Sequence, residues 1–154
     1  MAAQRLHLAI ADPTLPYRLY IDLRDGDAGV ILMQGEGAQQ RPVAMSGRPA
    51  TAAELNAIRP KALLSIAVWG IRRFARWTCA ATELVVGVPE RECLLLCSDK
   101  EVHPKLRAQV IELEMYRARL VLNEAAWDIG AKLVEMDCER PPPPLSGGTP
   151  PNAP

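Results

Sequence analysis

The sequence predicts an α/β domain in which a mixed five-stranded sheet, opened by three antiparallel strands, is flanked by helices. Residues 18–46 contain three short apolar runs separated by Asp/Gly-rich and Gly-rich turns, the pattern of a β-meander. From Pro60 onward, apolar residues recur at three- and four-residue steps, which is one stripe of a long helix. ELVVGV at 83–88 is then almost wholly apolar, as suits a central strand covered on both faces.

Arg18 to Leu23 alternates, with Leu19, Ile21 and Leu23 on one face. Asp25, Gly26 and Asp27 supply the chemistry of a tight reversal, and Ala28 to Gln34 returns as the second strand. Gly35 to Gly37 turns the chain again, and Arg41 to Ser46 forms the third strand, with Pro42 near its start where a missing amide donor does least harm. Gly47 to Arg59 reads as a connection. Pro60 then fits the first turn of a helix whose stripe runs through Leu63, Ile66, Ala67, Gly70, Ile71 and Phe74 to Trp77. Pro89 and Glu90 open a short helix through Cys97, Lys105 to Arg117 forms another, and Ala118 to Leu122 is a fifth strand. Asn123 to Asp137 is a weaker element with helical character. The expected division is a lead over 1–14, a domain over 15–137 and a disordered Pro/Gly-rich tail or linker over 138–154, where PPPPLSGGTPPNAP cannot build a core.

Bulk properties exclude several functions. With 154 residues and 49% apolar content there is room for one core of ordinary size. Lys plus Arg and Asp plus Glu are balanced at 18 each, so a polyanion would have to be met by a local patch. The N-terminus has too short an apolar run for a signal peptide, and no stretch reaches the ~18 uninterrupted apolar residues of a membrane span. A soluble, intracellular protein, cytoplasmic or nuclear, without membrane or small-molecule partners is expected. Cys79, Cys93, Cys97 and Cys138 lack zinc-site spacing; Cys93 and Cys97 would share a helix face and read as packing residues. His7 and His103 are isolated.

By pattern alone several α/β sandwiches fit, among them the RNase H-like fold. The residues narrow the choice. LPYRLYID (15–22), GVILMQ (29–34), RPVAMS (41–46), RPKALLSIAVWGI (59–71), LVVGVP (84–89) and LRAQVIELEMYRARLVL (106–122) resemble, in order and spacing, the RNase H-like connection domain of gammaretroviral and related long-terminal-repeat retrotransposon reverse transcriptases. The family's L-Y-V-D strand is matched by Leu19, Tyr20 and Asp22, its G-V-L-x-Q return by Gly29, Val30, Leu32 and Gln34, and its R-P-V-A strand by Arg41, Pro42, Val43 and Ala44. The resemblance spans about residues 13–135; Met45 stands where the family usually has Tyr. It implies a module between polymerase thumb and nuclease domain that is generally without nuclease activity, helps hold those domains together and contributes to contact with the template-primer duplex. The chain would then be a fragment of a retroelement polymerase or its host-captured remnant.

An active ribonuclease H clusters about four carboxylates so that two divalent ions sit ~4 Å apart. Asp22 takes the first-strand position and Glu54, before the long helix, is a second candidate. The third is expected at the end of the central strand, where Gly87, Val88 and Pro89 are not acidic and Glu90 lies beyond. NEAAWD (123–128) echoes the segment carrying a late aspartate in true nuclease domains, but the extra Trp127 turns Asp128 about 100° around a helix. No metal site is expected from this set, and Mg²⁺ enters only under the alternative of a degenerate but active ribonuclease H on RNA–DNA hybrids. Arg72, Arg73 and Arg76 are the candidate phosphate contacts, set against a plain solvated helix face. A protein-interaction domain using a sheet edge or the proline tail is the third reading.

Overall fold

The computed structural model describes residues 8–35, 39–97 and 102–123. The expected weak element beyond Asn123, the tail, Asp128, Cys138 and His7 lie outside them. The strands are β1 (Tyr17–Arg24), β2 (Asp27–Gln34), β3 (Arg41–Pro49), β4 (Leu84–Val88) and β5 (Ala118–Leu122). They form one sheet in the order β3-β2-β1-β4-β5. The first three are antiparallel neighbours, and β4 runs parallel to both β1 and β5. The mixed five-stranded architecture read from the sequence is the one observed.

Local chemistry accounts for the meander. Arg24 pairs with Asp27, leaving Asp25 and Gly26 as a two-residue loop with φ of 52° and 80°. Positive φ at both central positions is the I′ geometry whose twist matches that of the strands, and Asp-Gly tolerates it. The Ala50 N–H donates to the Gly26 carbonyl at 2.7 Å, tying the far end of β3 to this turn. At the other end of β2, the buried Gln34 amide accepts from the Asp12 N–H at 2.8 Å and donates to the carbonyls of Asp12 at 2.8 Å and Leu15 at 3.1 Å.

The helices are α1 (Ala52–Asn56), α2 (Arg59–Arg73), α3 (Ala75–Thr78), α4 (Arg91–Leu96) and α5 (Arg107–Met115), the last preceded by a 3₁₀ turn at Pro104–Leu106. Two expectations are corrected. The stretch read as a mere connection carries the end of β3 and all of α1, and the single long helix is broken at Phe74. The Thr78 hydroxyl donates to the carbonyl of Ile71 at 2.8 Å, in place of the amide a continuous helix would have supplied, and also to that of Phe74 at 3.2 Å, which already accepts from the Thr78 N–H at 3.0 Å.

Leu63, Ile66, Ala67 and Ile71 of α2 pack with Leu19, Ile21, Val30, Leu32, Val86 and Val88 of the sheet in one core, all at most 1% exposed. Gly70 permits the close approach, since a Cβ there would lie 2.9 Å from Val30 Cγ1 and 3.1 Å from Leu19 Cδ2. Tyr20, Ile31 and Met33 form a smaller cluster with Met45 on the other face. All five residues of β4 are buried, as the apolar run predicts.

Candidate functional site

Asp22 lies near the end of β1, opposite Gly29 of β2. The parallel register of β1 with β4 reaches Tyr20 opposite Gly87, so Asp22 extends past the point where β4 gives way to Pro89 and Glu90. Its side chain is 7% exposed and accepts a hydrogen bond from the Leu23 N–H at 2.9 Å. Burial pushes its carboxyl above the usual range, against the pull of that hydrogen bond and of the nearby Arg24 and Arg59 charges; Glu90 adds to the upward shift. Arg59 opens α2, and its guanidinium Nε is ion-paired with the Glu90 carboxylate.

Glu54 is placed quite differently. It is 8% exposed, and its carboxylate takes a two-pronged contact from Arg48, with Nη1 and Nη2 each 2.7 Å from an oxygen. The same side chain accepts from the Thr51 N–H at 2.9 Å, while the Thr51 hydroxyl accepts from the Glu54 N–H at 3.1 Å. This is a capping box at the start of α1. Arg48 also lies over the ring of Trp69, 4.4 Å from its centroid. The Arg48 guanidinium holds the Glu54 carboxyl below its ordinary value. Both carboxylate oxygens are therefore engaged in holding β3 to α1. The T-x-x-E spacing in TAAEL is the sequence signal for that role, and it outweighs the reading of Glu54 as a metal ligand.

Glu54 is thus committed to Arg48 and Thr51, and Asp22 to the Leu23 amide. Among the described residues, no three His, Cys, Asp or Glu side chains are grouped so as to hold a metal ion. Among the described residues, Glu90, the acid that follows β4, is ion-paired with Arg59, and β4 itself (Leu84–Val88) carries no acidic residue, so this part of the candidate set does not offer the free carboxylates that a two-metal centre needs. Cys93 is buried in the main core, which pushes its thiol up to about 12; Cys97 is half-buried and also raised by burial, and Cys79 is exposed.

The three candidate phosphate-binding arginines are all exposed, but they point to different partners. Arg72 is ion-paired with Glu112 of α5 and lies 3.5 Å from the Tyr116 hydroxyl. Arg73 lies 3.4 Å from the Ser46 hydroxyl of β3, and Arg76 stacks over Trp77 at 5.4 Å. Phe74 is buried and meets Trp77 edge to face. The aromatic residues of this helix serve packing and arginine stacking. No helix of the described residues is long and apolar enough to cross a membrane.

A meander of three antiparallel strands, a buried parallel β4 and a carboxylate near the end of β1 define an RNase H-like α/β domain. The chain belongs to the family described as the RNase H-like domain found in reverse transcriptase, whose model matches residues 12–116. Solved structures carry the same fold. A foamy viral protease-reverse transcriptase in complex with double-stranded DNA superposes with a TM-score of 0.57 at 16% identity, over 76% of this chain and 21% of that one. The native prototype foamy virus protease-reverse transcriptase gives 0.57 at 15% identity, over 75% and 16%. This chain therefore spans about a fifth or less of the length of those proteins. Comparison with curated proteins yields no match.

Proposed function

We propose that this chain is a non-catalytic connection module of a reverse transcriptase-type polyprotein, or its captured remnant, acting inside the cell as a structural domain beside a nucleic-acid duplex. The observation that carries this reading is the state of the carboxylates. Among the described residues Asp22 is buried with no metal-holding group of acids around it, and Glu54 is consumed by Arg48 and the α1 cap. Duplex contact draws support from the exposed arginines at the end of α2 and in α3, and from the DNA held by the foamy viral protein of like fold. The affinity is weak, independent of sequence and sensitive to salt, since the chain has no net charge. The gammaretroviral type of connection domain is part of this proposal and rests on the residues of β1, β2 and β3 that resemble it.

Incubation of the chain with a labelled RNA–DNA hybrid in Mg²⁺ or Mn²⁺ tests the first half. No cleavage is expected; cleavage that disappears in Asp22→Asn would establish the degenerate nuclease instead. Duplex affinity that is unchanged when Arg72, Arg73 and Arg76 are all Ala would remove the proposed interface.

A further inference from the structure

One face of the sheet is buried although no described helix contributes a side chain to it. Tyr20, Ile31 and Met33 are 6%, 4% and 8% exposed and cluster with Met45. Leu63, Ile66 and Ile71 of α2, Cys93 of α4 and Leu113 of α5 all belong to the other cluster. An apolar sheet face is buried by a further layer, and its own strands do not supply one. The chain leaves β5 at Asn123, whose N–H donates to the Val88 carbonyl at 2.9 Å. A Cβ on Gly87 would lie 2.4 Å from Tyr20 Cδ1 and 3.0 Å from Asn123 Cβ, so Asn123 sits on the Tyr20 side of the sheet. The residues that follow, 124–137, read EAAWDIGAKLVEMD. Ala126, Ile129, Leu133 and Met136 recur at steps of three and four, and Glu124, Asp128, Lys132 and Glu135 fall on the opposite side of the same helical period. Wound at about 1.5 Å per residue, the segment would reach about 21 Å. From β5 to β3, the outer strands of the sheet, is four spacings of about 4.8 Å, or about 19 Å. The other segments outside the described residues fit worse: 36–38 and 98–101 are too short to cross a sheet, 1–7 brings only Met1 and Leu6 as large apolar side chains, and the chain from Arg140 is rich in proline.

We propose that residues 124–137 wind as an amphipathic helix across this face, laying Ala126, Ile129, Leu133 and Met136 on Tyr20, Ile31, Met33 and Met45 and leaving the charged stripe in water. A helix of this length with Gly130 in its middle is marginal by itself, so it forms on the sheet. The docked segment takes this face out of reach of a neighbouring domain or a duplex. The arginine-bearing surface of α2 and α3, on the opposite side of the sheet, is then the one left for such a contact.

The test uses the full chain, with amide hydrogen exchange and methionine oxidation by hydrogen peroxide read by mass spectrometry. In the wild type, amides of 127–136 should exchange about tenfold or more slower than those of 145–154. Met33 should oxidise about tenfold slower than Met115, which is 75% exposed. Ile129→Asp combined with Leu133→Asp should abolish the slow exchange and bring Met33 oxidation to within about twofold of Met115, while Cys93, buried in the other cluster, stays closed to iodoacetamide. Lys132→Gln, on the charged stripe, should change neither readout. Wild-type 127–136 amides that exchange as fast as 145–154 would overturn the proposal, as would a folded double variant in which Met33 is still protected. Slow exchange that vanishes on dilution, together with a fall from dimer to monomer mass, would assign the face to a second copy instead. If the double variant unfolds and opens Cys93, Leu133→Ala decides: Met33 oxidation raised about threefold supports the docking, and unchanged oxidation overturns it.

Discussion

The carboxylate of Glu54 accepts two charge-assisted hydrogen bonds of 2.7 Å from Arg48 at a site only 8% exposed, and a third from the Thr51 amide. Removing one partner of such a pair leaves the other charge desolvated and alone, so Glu54→Gln should cost about 2–4 kcal/mol at pH 7. Because the folded pKa is depressed, this stabilisation is present above the unfolded value of about 4.3 and is lost as pH falls through the folded one. The wild type and the variant should therefore converge in acid, and urea titrations at several pH values read that directly. Asp22 has the opposite sign. Its folded pKa is raised mainly by burial, so the favourable contribution belongs to the protonated form and is lost as pH rises through the folded value. Asp22→Asn keeps an acceptor for the Leu23 amide and removes a buried charge. It should melt above the wild type at neutral pH and match it below about pH 4; a lower melting temperature at pH 7 would mean that the attraction of Arg59 and Arg24 outweighs desolvation.

Two glycines set how closely the elements approach, and they do not weigh equally. A Cβ on Gly87 would lie 2.4 Å from Tyr20 Cδ1 and 2.7 Å from Cε1. The Tyr20 ring is buried and its hydroxyl accepts from Gln40 Nε2 at 2.6 Å, while β4 is held between β1 and β5. Neither side can yield cheaply, so Gly87→Ala should destabilise by about 1–3 kcal/mol. At Gly70 the contacts are Val30 Cγ1 and Cβ and Leu19 Cδ2, all longer than the Tyr20 contacts at Gly87, and alanine gains about 1 kcal/mol of helix propensity that offsets part of the strain. Chemical denaturation should find Gly70→Ala the milder of the two; the reverse order would show that α2 is held more rigidly than β4. The legibility of the elements follows the same physics. The strands, α2 and α5 were readable because periodicity and Asp-Gly turn chemistry are local, and β4 because burial on both faces leaves an uninterrupted apolar run. The break at Phe74 was not, since it depends on where one Thr78 hydroxyl reaches. Asp22 falls on its strand as the alternation predicts, but its neighbourhood at the end of β4 is 65 or more positions away in sequence and is reached only through the β1–β4 pairing, which local periodicity cannot show.

For the molecule as a whole, charge neutrality decides how it meets a duplex. With 18 basic and 18 acidic residues, long-range attraction is absent and each free arginine counts by itself. Arg72 is already ion-paired with Glu112, although both groups keep substantial contact with solvent, at 60% and 35% exposure. Such an exposed pair is worth about 0–1 kcal/mol, so a phosphate can compete for the guanidinium at modest expense. Replacing Glu112 by Gln should thus raise affinity for a DNA or hybrid duplex by about two- to fivefold at low salt and steepen the salt dependence by about 0.9 in the log–log slope, the increment for one more phosphate contact. Arg72→Ala in the Glu112→Gln background should erase both gains. Fluorescence anisotropy over a salt series measures the two quantities together. An affinity that rises in Glu112→Gln and survives the loss of Arg72 would place the duplex on another face, because removing a negative charge anywhere on a neutral chain strengthens binding a little, while only a contacting arginine changes the slope.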